Sequence, residues 1–244
     1  GDIARVSSQN IDAGELLGLF ASTVSILSRF DGMVGDNSIA TFIHDTNADG
    51  RFKEAAAYYT AQQYLEMTHN LVLAKMSESI SPSGRSSTLR SESVKLSREA
   101  EAMATWVHRH TDASVYSFPH RFVAMACAKG IMRGALLNSL LVSTGKEWTA
   151  PIERILTETN IHVYAATVIY QMMSMYHEMT RMKQDNFAGV VREATSLTEA
   201  LLRELLPRGT SVDERTGLHT IANKVCALFG YNSIFRSEER RVGT

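Results

Sequence analysis

The feature that most constrains the fold is the spacing of the apolar residues, which repeat every three or four positions along nearly the whole chain. Leu16, Phe20, Val24 and Leu27 form one such stripe, and five further stripes follow between residues 58 and 228. This spacing is typical of amphipathic helices, and no segment of useful length alternates with period two. The only prolines, at positions 82, 119, 151 and 207, are expected where helices start or stop. The pattern predicts an all-α protein of six to eight helices.

The composition limits the class of protein and its partners. The chain has 244 residues, of which 44% are hydrophobic, so one sizeable core can form. The formal net charge of −1 gives no electrostatic reason to expect a nucleic acid or an anionic membrane as a partner. No segment is long and apolar enough to cross a bilayer. The two cysteines, Cys127 and Cys226, are too few for a disulfide framework and favour a reducing, cytoplasmic location.

The chain is expected to form a single domain over residues 1–235, followed by a tail at 236–244. The tail contains the polar string Arg236-Ser-Glu-Glu-Arg-Arg-Val-Gly243, which looks like translated sequencing adapter. It is therefore interpreted as non-native sequence, with an ordinary frayed terminus as the alternative.

Glu66 and His69 are the first candidate site residues. Three positions apart on a predicted helix, they share one helix face. An E-x-x-H pair that points into a helical bundle is how dinuclear carboxylate proteins bind metal. Taken alone the pair is weak evidence, because a solvated Glu and His at this spacing are common.

Five segments, taken together and in order, resemble the motifs of the small, radical-generating subunit of class I ribonucleotide reductase. They are Phe30-Asp-Gly-Met-Val-Gly-Asp-Asn37, the run from Glu54 to His69, Val123-Ala-Met-Ala-Cys-Ala-Lys-Gly-Ile131, Glu158-Thr-Asn-Ile-His162 and Phe229-Gly-Tyr-Asn-Ser-Ile-Phe235. The resemblance implies a ferritin-like helical bundle that forms a homodimer, or a heterodimer with a paralogue, and works with a large catalytic subunit. In that family a di-iron or di-manganese centre generates a tyrosyl radical for deoxyribonucleotide synthesis.

Carried over by position, the resemblance implies a metal site that is only partly present. Residues in the positions of metal ligands are Asp31, Glu66, His69 and His162. Two ligand carboxylates are replaced, one by Lys129 and one by Thr159, and Leu73 occupies the position of the radical tyrosine. Glu158 falls at the position of a radical-path aspartate, and Arg133 replaces a residue of the apolar pocket around the tyrosine.

A buried Lys129 ammonium beside Asp31 and Glu66 would supply positive charge that the metal ions normally provide. Three hypotheses follow: a small subunit with an altered or metal-free centre, an inactive paralogue that acts as a structural or assembly partner, or a coincidentally similar bundle. Tyr64 and Tyr164 are within reach of the site by sequence but are expected to be half-buried packing residues. The remaining histidines are expected at the surface or at helix ends: His44, His108, His110, His120, His177 and His219.

Overall fold

A computed structural model describes the fold over residues 19–28, 39–47, 52–80, 98–143, 146–176, 180–206 and 211–235. Asp31 and the predicted tail at 236–244 lie outside these ranges. In the described part all regular secondary structure is helical and there is no strand, so the all-α prediction is confirmed. None of the described helices is long and apolar enough to cross a membrane.

The described ranges contain the following helices in chain order. They are α1 (19–28), α2 (Ala40–Asn47), α3 (Lys53–Ile80), α4 (Arg98–Thr111), α5 (Phe118–Cys127), a π-helical segment (Ala128–Arg133), α6 (Gly134–Ser143), α7 (Lys146–Met175), α8 (Gln184–Leu205), α9 (Val212–Thr216) and α10 (Leu218–Leu228).

The centre of the bundle is a continuous rod made of α5, the π-helical segment and α6. Every side chain from position 121 to position 137 is buried. A helix that is buried on all sides must be surrounded by other elements, and α4, α7, α8 and α10 pack around this rod. The rod therefore carries its polar residues into the interior.

Helix α7 begins earlier than the sequence suggested. Pro151 was expected where a helix starts or stops, but the helix already starts at Lys146 and contains Pro151. Proline in a helix interior removes one backbone hydrogen bond and strains the preceding turn. Here Pro151 lies in the second turn, where Ile152 and Ile155 are already buried and hold the helix against the core.

The end of α10 turns the chain back onto the bundle through a Schellman motif. The N–H of Tyr231 bonds to the carbonyl of Cys226, and the N–H of Gly230 bonds to the carbonyl of Ala227. Gly230 has φ 74°, a left-handed conformation that favours glycine. The turn lets the Tyr231 ring stack on Phe187 of α8 at a centroid distance of 3.9 Å.

Gly130 marks a point of close packing between the π-helical segment and its neighbours. A Cβ at this position would lie 3.0 Å from Val225 Cγ2 of α10 and 3.2 Å from Val163 Cγ2 of α7. We expect Gly130→Ala to lower the free energy of unfolding by about 1–3 kcal/mol, because a well-packed core cannot absorb the extra methyl group. Urea unfolding measures this change.

Gly189→Ala in α8 is the matched control. Apart from its chain neighbours and the nearby backbone of its own helix, no described atom lies within 4 Å of the position that a methyl group would take at Gly189. The change should therefore stabilise the helix by up to about 1 kcal/mol. Equal effects of the two substitutions would contradict the close approach at Gly130.

Candidate functional site

The candidate site lies where α3, α7 and the π-helical segment meet. In a π-helix the backbone bonds run from i to i+5, and such segments occur often at functional sites. Lys129 and Arg133 both belong to this segment, and both side chains are buried. The segment thus brings two cations into the bundle, opposite the α3 residues Glu66 and His69.

Glu66 is held by hydrogen bonds to both of its carboxylate oxygens. Lys129 Nζ donates to Oε2 at 2.6 Å, and Gln62 Nε2 donates to Oε1 at 2.8 Å. Burial raises the pKa of Glu66, but Lys129, Gln62 and the charge of Arg133 outweigh it and leave the pKa below its ordinary value. Glu66 is therefore an ionised carboxylate in a buried ion pair.

Both ring nitrogens of His69 have hydrogen-bond partners. Arg133 Nη2 lies 3.2 Å from Nδ1, and a carboxylate oxygen of Glu158 lies 2.5 Å from Nε2. A guanidinium can only donate, so Nδ1 must accept and Nε2 carries the proton that is donated to Glu158. These contacts define one tautomer of His69 and leave both of its nitrogens engaged.

Glu158 extends the network from the interior to the surface. Its second carboxylate oxygen accepts a hydrogen bond from Nε of the exposed Arg154 at 2.9 Å. Burial raises the pKa of Glu158, but the hydrogen bonds from His69 and Arg154 together lower it by more than that. The pKa therefore lies below its usual range. The described cluster therefore contains two buried cations, Lys129 and Arg133, and two carboxylates, Glu66 and Glu158.

Thr159 and His162 complete the cluster on α7. The Thr159 hydroxyl accepts a hydrogen bond from Arg133 and donates to the carbonyl of Ile155 at 2.8 Å. His162 Nδ1 lies 3.8 Å from Glu66 Oε1. Burial, together with the charge of Lys129, lowers the pKa of His162 to about 4 despite the opposing effect of Glu66. His162 is therefore neutral at pH 7.

Several buried polar atoms beside this cluster lack hydrogen-bond partners in the described part of the chain. Within the described ranges, Gln62 Oε1, His162 Nδ1 and the Tyr58 hydroxyl have no hydrogen-bond partner. A cavity of about 10 Å³ adjoins Gln62, Lys129 and His162, which is close to the smallest volume that holds one water molecule.

The structure places the other predicted residues as follows. Leu73 is fully buried in the hydrophobic core. Tyr64 and Tyr164, expected to be half-buried, are 70% and 59% exposed, so that expectation is wrong. The tyrosine next to the cluster is Tyr58, whose ring lies 6.3 Å from that of His162.

Sequence reasoning missed two residues of the cluster, Gln62 and Tyr58. Gln62 lies four positions before Glu66, so the helical spacing could have identified it. Tyr58 lies two turns before Glu66 on the same helix, where its contact with α7 depends on tertiary packing. Among the described residues, no three His, Cys, Asp or Glu side chains converge as a metal-binding group.

The sequence of the chain identifies its family. Residues 17–241 match the family model described as ribonucleotide reductase, small chain. Because the match spans most of the chain, the protein belongs to the ribonucleotide reductase small-chain family, as the motif resemblance implied. None of the curated proteins matches the sequence significantly.

Two solved structures show the same ferritin-like fold. One is described as a class I ribonucleotide reductase from Bacillus halodurans; it has a TM-score of 0.72 and 17% identity, over 90% of this chain and 81% of that chain. The other is the Rnr4 homodimer from Saccharomyces cerevisiae; its TM-score is 0.64 and its identity 13%, over 100% of this chain and 87% of that chain. At these identities the similarity concerns the fold alone.

Removal of the Lys129 cation should destabilise the protein strongly. Lys129→Met leaves the Glu66 carboxylate buried without its ion-pair partner, and breaking such a pair typically costs about 3–5 kcal/mol. The loss should shrink as the pH falls, because without Lys129 burial raises the pKa of Glu66 and the carboxyl group takes up a proton. Urea unfolding between pH 5 and pH 8 measures both effects.

The double variant Lys129→Met, Glu66→Gln is the control for this interpretation. It removes both charges together and should recover most of the lost stability. If the effects of the two single substitutions simply add in the double variant, the two side chains are not energetically coupled.

Proposed function

We propose that this chain serves deoxyribonucleotide synthesis as a metal-free small-chain paralogue of ribonucleotide reductase. In this role it is a structural or assembly partner of the reductase and forms no radical of its own. The observation that carries the proposal is that Lys129 and Arg133 bind the Glu66 and His69 atoms that a metal ion would need.

The donor set does not fit a dinuclear metal centre. Two divalent ions need several anionic oxygens and free imidazole lone pairs around them. Here both oxygens of Glu66 accept hydrogen bonds, and His69 Nδ1 faces a guanidinium. Metal ions beside Lys129 and Arg133 would also meet two fixed positive charges in a medium of low dielectric constant. This conflict supports a centre in which side-chain cations replace metal ions.

The surroundings of Leu73 support the absence of a stable radical at that position. Leu73 is packed in the core, and an aliphatic side chain cannot hold a stable radical. Tyr58 favours the second candidate function, a small subunit with an altered radical centre, because its buried hydroxyl lies beside the cluster. Burial and the negative charge of Glu66 raise the pKa of Tyr58, so that its hydroxyl keeps its proton at neutral pH.

Metal analysis and electron paramagnetic resonance test the proposal directly. After incubation of the purified chain with Fe²⁺ and oxygen, or with Mn²⁺, we expect far less than one tightly bound metal ion per chain and no tyrosyl signal. Two metal ions per chain would overturn the metal-free centre. A tyrosyl signal that disappears in Tyr58→Phe would establish the second candidate.

The partner role has a separate test. We expect the chain to co-purify with the small-chain homologue or the large reductase subunit of the same organism, and to add no activity when supplied as the only small chain. Full reductase activity with this chain alone would contradict the role of a non-radical partner. The cytoplasmic location stays a prediction from the composition.

An exposed apolar surface supports a dimeric partner role. We call it the α3–α7 face, and its residues are Tyr64, Met67, Leu71, Ile161, Tyr164, Val168, Met172 and Met175. Helices α3 and α7 pack against each other. On each helix the exposed apolar residues are three, four or seven positions apart, so they lie on one side of that helix. Eight large apolar side chains exposed on neighbouring helices form the kind of apolar patch that marks a protein–protein interface.

A charge on the α3–α7 face should weaken the proposed dimer. Tyr164→Glu would bury a carboxylate without a partner in the interface, so we expect the dimer dissociation constant to rise at least about tenfold. Sedimentation equilibrium measures the shift towards monomer.

Val115→Glu is the matched control, since Val115 is also exposed but lies in the turn between α4 and α5. If Tyr164→Glu and Val115→Glu change the association equally, or if neither does, the α3–α7 face is not the dimer surface.

A further inference from the structure

A second cluster of aromatic and titratable side chains lies at the corner between α4 and α5. His110 is in the last turn of α4, and His120 is in the first turn of α5. His110 was expected at the surface or at a helix end; it lies at a helix end, but it is buried, with only 6% exposed. His120 lies nine residues before Lys129 on the central rod, about 13 Å along the helix axis. The cluster is therefore separate from the site around Glu66.

The two imidazoles face each other through their ring nitrogens. His110 Nδ1 lies 3.0 Å from His120 Nε2. Aromatic rings fix both imidazoles in this position: Trp106 stacks on His110 at 4.4 Å, and Tyr116 stacks on His120 at 3.9 Å between centroids. Packing against α4 and against the turn before α5 therefore orients these nitrogens.

Glu193 of α8 orients His110 from the opposite side. One oxygen of its carboxylate accepts a hydrogen bond from Trp106 Nε1 at 3.0 Å and lies 3.4 Å from His110 Nε2. A carboxylate there favours the proton on Nε2, which leaves the Nδ1 lone pair directed at His120. Metal-binding histidines are commonly oriented in this way by a carboxylate on their other nitrogen.

Both histidines are neutral at physiological pH. Burial lowers the pKa of His110 more than the nearby Glu193 raises it. Burial and the neighbouring His110 lower the pKa of His120 to about 4. The charged groups around the pair are Glu193 on α8 and Arg109 on α4. No imidazolium proton has to be displaced before either ring can act as a ligand.

We propose that His110 and His120 form a two-histidine site for a divalent transition-metal ion that prefers imidazole, such as Zn²⁺. The ion takes the lone pair of His110 Nδ1 and, after His120 moves its proton to Nδ1, the lone pair of His120 Nε2. Two imidazole nitrogens on one tetrahedral Zn²⁺ are about 3.3 Å apart, since each bond is about 2.0–2.1 Å long. The present separation needs to open by only a few tenths of an ångström.

The site supplies two protein ligands, and an ion bound there connects two helices. In the described part of the chain no third His, Cys, Asp or Glu converges with the pair, so water completes the coordination. Binding is therefore expected to be reversible. An ion bound by His110 and His120 links the end of α4 to the start of the central rod. This proposal does not depend on the proposed function.

Zinc titration of the full chain, free of affinity tags and treated with chelator, tests the site. By calorimetry we expect one Zn²⁺ per chain with a dissociation constant of about 10 µM, and a higher melting temperature in its presence. His120→Asn should weaken binding at least about tenfold, and Glu193→Gln about tenfold, because the carboxylate orients His110.

Two control variants locate the bound ion. His108→Asn changes an exposed histidine on the same helix, and His162→Asn changes the central cluster; both should keep the affinity of the unmodified chain. Absence of saturable binding up to about 1 mM Zn²⁺, or binding that survives in both His110→Asn and His120→Asn, would overturn the proposal. His120 is only partly buried, so its variant keeps the test valid if His110→Asn fails to fold.

Discussion

The arrangement of the bundle interior depends on the buried ion pair between Lys129 and Glu66. The pair joins the central rod to α3, because Lys129 reaches Glu66 from the π-helical segment of the rod. Gln62, Arg133 and His162 are then arranged around the same carboxylate. A buried pair of this kind adds little net stability compared with apolar packing, but it is very costly to break. It therefore fixes which residues face each other more than it adds to stability.

The amino-acid sequence was sufficient to predict the helical fold, because the three-and-four spacing of apolar residues is a local signal that tertiary packing reinforces. The same spacing placed Glu66 and His69 on one helix face. It could not predict that Arg133 would reach His69 or that Tyr58 would adjoin His162, since these contacts join distant segments. His110 shows the same limit: its burial comes from Trp106, Tyr116 and His120 around it, and a polar residue in a helix end gives no sign of that.

The family fold and the chemistry of its centre are separable properties of this chain. The bundle, the close approach at Gly130 and the Schellman turn at Gly230 depend on shape and backbone conformation. The centre depends on charge, and four charged side chains can balance one another inside an unchanged helical frame. The α3–α7 face lies on the outer sides of the helices that carry the centre, so the same two helices present charge inwards and apolar surface outwards.

The charge pairing in the centre also limits how the sequence can change over evolutionary time. A single replacement of Lys129 by a carboxylate would set two buried anions side by side, and a single loss of Glu66 would leave two cations without it. Each of these two single changes therefore lowers the stability of the folded protein. We expect Glu66, Lys129 and Arg133 to change together in related sequences, because only compensating replacements keep the buried charges balanced.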